Sequence, residues 1–131
     1  MVSENSRNEG DAVGDETLET LMRANLLEVF GERDPERRRS AIAGVYAEDV
    51  VFADTEGEVR GHAAIHAKAQ EILDGAPGFV FRPDGPFAQA QDLGYLAWAF
   101  GPEGAEPAVR GADMGLIRDG RLAKVYTVLF R

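Results

Sequence analysis

The sequence predicts a single α+β domain in which helices come first and a mostly antiparallel sheet follows. Apolar residues recur at helical spacing early in the chain, whereas later they form short runs separated by turn signals. Helices grouped ahead of a strand meander are typical of α+β folds with an antiparallel sheet. At 131 residues the chain is long enough for one such domain with a sizeable core.

Three helices are predicted in the first 75 residues. Residues 1–15 are polar and acidic, which indicates a disordered tail ahead of a folded domain over 16–131. Asp15 favours the start of a helix over about 16–32. Asp34 and Pro35 predict the N-cap and first residue of a second helix, which runs to about Ala47. A third is predicted over about 62–74, because a Gly-Ala-Pro-Gly run ends it.

Strands are predicted around and after the third helix. Residues 50–54 and 58–60 form a short pair, and 79–82, 87–100, 107–118 and 121–130 form a meander. The second of these four is expected to be broken by a bulge or turn at 92–94. Asp119-Gly120 is a strong two-residue hairpin signal. Such a sheet would curl around the helices and leave a cavity between its concave face and the first and third helices.

The composition narrows the possible partners. The net charge of −9 repels phosphate backbones and anionic membranes, so we expect neither a nucleic-acid nor a membrane partner. No apolar run approaches the roughly 20 residues that span a bilayer, and the polar N-terminus is unlike a signal peptide. The chain has no cysteine, which excludes disulfides and thiolate chemistry and fits a cytoplasmic location.

Two aspartates interrupt apolar stretches and are the candidate catalytic residues. Asp54 ends the run that starts at Val50, and Asp113 stands inside the apolar stretch 112–117. A buried carboxylate loses hydration, so its pKa rises or it needs a partner. Two such groups facing one cavity would suit proton transfer. The alternatives are that Asp54 caps the turn that follows it and that Asp113 is satisfied by neighbouring side chains.

The segments 46–57 (YAEDVVFADTEG) and 61–65 (GHAAI), with 111–113 (GAD) and 119–122 (DGRL), resemble the NTF2-like superfamily. The ketosteroid isomerase and SnoaL-like polyketide cyclase branches are the most similar, over roughly residues 17–130. The resemblance implies a cone-shaped fold in which three helices pack on a curved sheet around a pocket. It specifies the fold better than the reaction, because the superfamily hosts isomerases, cyclases, epoxide hydrolases and non-catalytic binders.

The resemblance also implies roles for particular residues. Asp54 falls on the general base of ketosteroid isomerases, eight residues after the tyrosine matched by Tyr46, and Asp113 falls on the protonated acid of their oxyanion hole. The oxyanion tyrosine of the first helix is replaced by Asn25, which could donate to a substrate oxygen or tie the helix to a strand. The supporting tyrosine of the third helix is replaced by Ala69.

Further residues are predicted to contact the substrate. The predicted substrate-binding residues, beside the two aspartates, are Asn25, Tyr46, Phe52, His66, Trp98 and Thr127. The aromatic members are also natural core residues, and Thr127 is placed by the resemblance on the cavity face of the last strand. His62 and His66 are four residues apart on a helix, but no third ligand is apparent, so we expect no metal and no cofactor.

These features lead to three functional hypotheses. The first is a cofactorless enzyme, an isomerase or aldol-type cyclase, that transfers protons on an apolar carbonyl compound such as a polyketide or steroid-like molecule. The second is a non-catalytic small-molecule-binding or dimerisation module. The third is an epoxide hydrolase. The resemblance disfavours it, because the limonene epoxide hydrolases of the superfamily have an arginine two residues before the aspartate, where this chain has Gly111, and Arg110 would point to the opposite face. All three predict a homodimer through the outer sheet face.

Overall fold

The structure, a computed structural model, describes the backbone of residues 10–131 and the side chains of residues 17–131. The first nine residues of the predicted acidic tail lie outside this range. Helix α1 covers Gly10–Ala24, so it begins before the predicted N-cap Asp15, and residues 10–15 of the predicted tail are helical. Acidic residues are favourable in the first turns of a helix, which is consistent with this earlier start.

The helix changes its winding where α1 ends. Residues Asn25–Phe30 form a π-helical segment, whose wider turns are seen in the hydrogen bond from the Gly31 amide to the Leu26 carbonyl, at 2.9 Å. The predicted first helix 16–32 is therefore two segments with different geometry. The π-helical segment buries Asn25 together with Leu26, Val29 and Phe30.

The other two helices lie close to their predicted positions. Helix α2 covers Pro35–Val45, and its predicted cap is confirmed, because the Asp34 side chain accepts a hydrogen bond from the Arg37 amide at 2.9 Å. Helix α3 covers His62–Asp74. None of the helices within residues 10–131 is long and apolar enough to span a membrane.

Seven strands form one curved, mostly antiparallel sheet that does not close on itself. They are β1 (Tyr46–Asp54), β2 (Gly57–Arg60), β3 (Phe79–Pro83), β4 (Ala88–Ala90), β5 (Leu93–Pro102), β6 (Val109–Arg118) and β7 (Arg121–Leu129). Their order is β2-β1-β7-β6-β5-β3, with β4 also pairing with β5, and only β1 and β7 run parallel. The α+β fold with three helices and a curved antiparallel sheet is therefore confirmed.

The strand predicted over 87–100 is two strands. Gln91 has φ 57°, in the left-handed region, and the chain reverses there, so that Ala90 pairs with Leu93. Of the two predicted alternatives, a bulge or a turn at 92–94, the structure has a tight turn, which lies at residues 91–92. The predicted Asp119-Gly120 hairpin is confirmed, because both residues have positive φ, 53° and 78°, as a type I′ turn requires.

Two paired glycines allow α1 to approach the sheet closely. Gly94 on β5 and Gly115 on β6 are cross-strand partners. A Cβ on Gly115 would lie 2.5 Å from the Met22 sulfur, and one on Gly94 would lie 3.1 Å from the Leu18 Cγ. A side chain at either position would force Leu18 or Met22 to shift. The two glycines therefore allow these α1 side chains to pack directly against the backbone of the sheet.

Candidate active site

A cavity of about 410 Å³ lies between the π-helical segment, α3 and the concave face of the sheet. Most of its wall is apolar or aromatic, and Asp54 and Asp113 both line it, as does the lysine Lys68. The lining residues are Leu26, Phe30, Phe52, Asp54, Thr55, Glu56, Lys68, Glu71, Ile72, Gly75, Phe81, Trp98, Phe100, Val109, Asp113, Thr127 and Leu129. This volume lies within the usual range for a small-molecule pocket.

Asp113 is the most deeply buried acid of this wall, with 5% of its surface exposed. It lies in the middle of β6, and three neutral side chains donate hydrogen bonds to it. Thr127 Oγ1 and Trp98 Nε1 donate to Oδ1 at 2.7 and 3.0 Å, and Asn25 Nδ2 donates to Oδ2 at 2.9 Å. The carboxylate is therefore held by donors, and no Lys, Arg or His side chain within residues 17–131 forms an ion pair with it.

The hydroxyl group of Tyr46 fixes the orientation of the Asn25 amide. Tyr46, which is completely buried, donates its hydroxyl hydrogen to Asn25 Oδ1 at 2.5 Å. Since the amide oxygen accepts from Tyr46, the amide nitrogen is the group that faces Asp113. Burial, with a smaller contribution from the charge of Asp113, raises the pKa of Tyr46 well above 10, so the phenol remains a donor at neutral pH.

A glycine makes room for the second donor. Gly111 on β6 is the cross-strand partner of Trp98 on β5, and the indole lies over it. A Cβ on Gly111 would lie 2.7 Å from the Trp98 Cζ2 and 2.4 Å from the Val128 carbonyl oxygen. Only glycine leaves space for the indole to reach across to Asp113, two residues farther along β6.

The surroundings of Asp113 place its protonation equilibrium close to neutral pH. Burial raises its pKa from 3.8 to about 6, although the hydrogen bonds from Thr127, Trp98 and Asn25 act in the opposite direction. Hydrogen bonds to the charged form stabilise the carboxylate, whereas loss of hydration stabilises the acid. A carboxyl group balanced in this way can both accept and return a proton near pH 7.

Asp54 has a different environment at the other side of the cavity. Its Oδ2 lies 3.2 Å from the Lys68 ammonium, which also contacts Glu56 Oε1 at 3.0 Å. Its Oδ1 accepts the Glu56 amide at 2.9 Å, so Asp54 also caps the turn, as the alternative interpretation expected. The Lys68 side chain is only 12% exposed. Burial lowers its pKa, but the bonds to Glu56 and Asp54 dominate and raise it above its usual value.

The sheet register relates the two aspartates. Asp113 is paired with Thr127 on β7. On the other side of β7, Ala53 is level with Tyr126, which places the next residue, Asp54, level with Thr127. The two carboxylates therefore project from strands on either side of β7. Two interstrand spacings separate their Cα atoms by roughly 10 Å, and both side chains line the same cavity.

Five of the eight predicted site residues line the cavity, namely Asp54, Asp113, Phe52, Trp98 and Thr127. Asn25 and Tyr46 do not line it, because they lie behind Asp113 and support it. His66 is also outside the cavity, since it lies on the α2 side of α3 with Nδ1 3.5 Å from Arg38 Nη1. These three residues therefore lie outside the cavity wall, and their contact with a substrate stays a prediction.

Lys68 and several aromatic wall residues were missed by the sequence analysis. Lys68 precedes a buried alanine on α3 and resembles an ordinary solvated helix lysine, whereas its partner Asp54 lies 14 positions earlier on another element. A charge beside a buried helix face was the only available signal. The missed aromatic residues are Phe30, Phe81 and Phe100.

The acidic and histidine side chains do not cluster as metal ligands within residues 17–131. Among the residues whose side chains the structure describes, no three His, Asp or Glu side chains come close enough to form a metal-binding group. His62, the other half of the histidine pair, has Nε2 3.0 Å from the Tyr46 carbonyl oxygen.

A helix-covered, curved sheet with an acid-bearing pocket defines the NTF2-like class of α+β proteins. Residues 24–125 match the SnoaL-like domain family, so the chain belongs to that family. No curated protein sequence matches significantly.

Solved structures share the fold. A candidate isomerase of the SnoaL-like family from Agrobacterium tumefaciens has a TM-score of 0.81 and 21% identity, over 88% of this chain and 99% of that one. A candidate polyketide cyclase from Sinorhizobium meliloti gives 0.62 and 18%, over 86% and 93%. A candidate ketosteroid isomerase from Kribbella flavida gives 0.65 and 16%, over 88% and 79%. At these identities the likeness shows the fold alone.

Proposed function

We propose that this protein is a cofactorless enzyme that transfers a proton on an apolar carbonyl compound, with Asp113 as the acid–base group. The single observation that carries the proposal is the environment of Asp113. It is a carboxylate facing an apolar cavity, held by three neutral donors and unpaired with any cation within the described residues. The names of the solved neighbours, isomerase and cyclase, support the same class of chemistry.

This proposal reverses the roles that the resemblance implied. All three neighbours of Asp113 act as donors, so they stabilise its ionised form, and a group of this kind is better suited to accept a proton than to remain a neutral acid. Asp54 is instead bound to Lys68 and to the turn. In this assignment Asp54 and Glu56 hold Lys68 as the ammonium group that can donate to the substrate's carbonyl oxygen.

The reaction needs no co-reactant. The Asp113 carboxylate takes a proton from the carbon next to the carbonyl, and the electrons of that C–H bond form an enolate whose charge develops on oxygen. Asp113, now a carboxylic acid, returns the proton to another carbon of the enolate, which gives an isomer. Alternatively the enolate carbon attacks a second carbonyl group, whose π electrons move to its oxygen; that oxygen takes the proton from Asp113, which closes a ring bearing a hydroxyl group and restores the carboxylate. A positioned acid–base group contributes typically about 10²–10⁴-fold to such a step.

The test uses a simple β,γ-unsaturated ketone such as 3-cyclohexenone. Its conversion to the conjugated enone is followed by ultraviolet absorbance, against the rate in buffer alone. We expect catalysis by the wild type, a loss of about 10²–10⁴-fold in Asp113→Asn and no change in the matched control Asp119→Asn. Asp119 lies in the β6–β7 turn, and Asn tolerates its positive φ. Equal rates for the wild type and Asp113→Asn would refute the assignment.

The non-catalytic binding module remains a second candidate, and one observation favours it. Asn25 uses its amide nitrogen on Asp113 and its oxygen on Tyr46, so it does not replace the missing oxyanion tyrosine. Epoxide hydrolysis is less well supported. Arg110 pairs with Asp84 at 3.3 Å and is absent from the cavity wall, and Asn25 does not reach the cavity to hold an attacking water.

A further inference from the structure

The cavity has aromatic walls on two sides. Phe30 and Phe52 are stacked with ring centroids 5.2 Å apart on the side of the π-helical segment and β1. Phe81 stacks on Phe100 at 4.0 Å and meets the edge of Trp98 at 5.3 Å on the side of β3 and β5. All five rings line the cavity. The faces of aromatic rings carry partial negative charge and attract cations.

The charged groups of the wall also favour a positive ligand. Four acids, Asp54, Glu56, Glu71 and Asp113, line the cavity with a single lysine, which leaves a formal charge of −3 when Asp113 is ionised. Lys68 is already paired with two of these acids. Asp113 has only neutral donors around it, so its charge is uncompensated inside a low-dielectric cavity. Such a cavity concentrates the field of its charges toward a ligand.

From the aromatic walls and the uncompensated carboxylate, we propose that the ligand of this cavity is an organic cation, an apolar or aromatic molecule that carries a protonated or quaternary nitrogen. Nitrogen cations that carry bulky apolar substituents are more weakly hydrated than a primary ammonium, so they lie against aromatic faces and pair with a carboxylate at a lower desolvation cost. An anionic ligand would meet repulsion from all four acids.

The inference deepens the proposed function and rests on it wherever the ligand is the substrate. Enolate formation places negative charge in a cavity that is already negative. Lys68 can donate a hydrogen bond to the enolate oxygen, but Asp54 and Glu56 offset its positive charge. A cationic nitrogen close to the carbonyl group would supply the missing charge. It would acidify the neighbouring C–H bond and offset the enolate oxygen, while the proton still moves to Asp113.

The experiment compares three ligands of similar shape on the whole protein. They are (4-hydroxyphenyl)trimethylammonium, its neutral isostere 4-tert-butylphenol, and the anion 4-tert-butylbenzoate. Dissociation constants are measured by calorimetry or NMR titration at pH 7.5 and low salt. We expect the cation to bind at least about tenfold more tightly than the phenol, from cation–π contact and charge together, and the benzoate to bind most weakly. Equal binding of cation and phenol, or tighter binding of the benzoate, would overturn the inference.

Charge-removing variants locate the effect. Asp113→Asn is expected to lose most of the preference for the cation, and Glu71→Gln, at an exposed position on the cavity wall, to lose part of it. Asp119→Asn removes the same charge in the β6–β7 turn and should keep the full preference. If Asp113→Asn does not fold, the comparison of Glu71→Gln with Asp119→Asn decides whether the site is correct. Glu71→Gln should still lower the preference for the cation over the phenol, whereas Asp119→Asn should not. A preference unchanged in every variant that folds would contradict the site.

The two proposals fail separately. If the protein prefers the cation in a way that depends on Asp113 but does not convert the unsaturated ketone, the proposed ligand class stands and the proposed enzyme activity is rejected. If the protein converts the ketone in a way that depends on Asp113 but shows no preference for the cation, the proposed enzyme activity stands and the proposed ligand class is rejected.

Discussion

Asn25 and Asp113 are 88 residues apart in the sequence, and the Asn25 amide nitrogen donates to Asp113 Oδ2 at 2.9 Å. This bond joins the π-helical segment to the middle of the sheet. Behind it, the Tyr46 hydroxyl fixes the amide, so that a chain of three buried side chains ends at the cavity. Tyr46 lies at the end of this hydrogen-bonded series that is farthest from the cavity.

Tyr46→Phe is expected to destabilise the protein by about 1–3 kcal/mol, because it leaves the buried Asn25 oxygen without a donor. The free energy of unfolding in urea measures this change. Tyr95→Phe, which removes a hydroxyl outside the network, should change stability by less than about 0.5 kcal/mol. Similar losses in the two variants would argue against a buried network.

The buried Asp113 should make stability fall as pH rises from acid to neutral. Its pKa is about 6 in the folded protein and near 3.8 when unfolded, so between these values the folded state binds the extra proton. Protonation therefore favours folding below pH 4, and that contribution is lost as pH passes 6. The other carboxylates also change the free energy of unfolding with pH. The quantity to measure is therefore the difference in unfolding free energy between wild type and Asp113→Asn at each pH. That difference should move by about 2 kcal/mol against the wild type between pH 4 and 7.5; no change would contradict a raised pKa.

Lys68→Met should destabilise the protein by about 1–3 kcal/mol, since it leaves the Asp54 carboxylate, with 18% of its side chain exposed, without its cation. Glu56→Gln removes the exposed partner of the same lysine and should cost less than about 1 kcal/mol. Urea unfolding of both variants tests this asymmetry. If Glu56→Gln lowered the free energy of unfolding as much as Lys68→Met does, the ion pair of Lys68 with Asp54 would not be the main stabilising contact of this lysine.

Gly111→Ala is expected to cost about 1–3 kcal/mol and to displace the Trp98 indole, because its Cβ would overlap both the ring and the Val128 carbonyl. Trp98 is the only tryptophan of the chain, so its fluorescence reports the displacement directly. Gly44→Ala, where an added Cβ meets nothing within 4 Å, is the matched control. An unchanged emission spectrum in Gly111→Ala would show that the glycine is not needed for the ring.

The outer face of β7 predicts a homodimer. Tyr126, Val128 and Phe130 are 40–50% exposed, and they form an apolar patch that a second copy of the chain would cover. Light scattering should give twice the monomer mass for the wild type and a smaller mass for Val128→Lys. Leu27→Lys, which changes an exposed leucine elsewhere, should leave the mass unchanged. A wild-type monomer would contradict this prediction.

Local sequence signals were sufficient to predict many of the helices, strands and turns. Asp34-Pro35 and Asp119-Gly120 specify a helix start and a hairpin through their own backbone preferences, and the structure has both. The break between β4 and β5 was predicted at 92–94, but the turn comes slightly earlier, because Gln91 adopts a positive φ that is uncommon for its residue type.

The site was only partly predictable for a related reason. Asp54 and Asp113 stood out because a carboxylate in an apolar strand is unusual wherever it points. Whether Asn25 faces the cavity or Asp113 depends on how closely α1 lies to Gly94 and Gly115, which is a property of the packed structure. Similarly, Lys68 becomes part of the cavity only when α3 is laid across the end of β1.

The most direct test of the central claim is a pH titration of the Asp113 side-chain carboxyl by carbon NMR, with the signal assigned by its loss in Asp113→Asn. The account predicts a midpoint of about 6 in the free protein, because burial outweighs the three hydrogen bonds to the carboxylate. A midpoint near 4 would contradict it, since Asp113 would then be an ordinary ionised aspartate with no particular fitness for proton transfer at neutral pH.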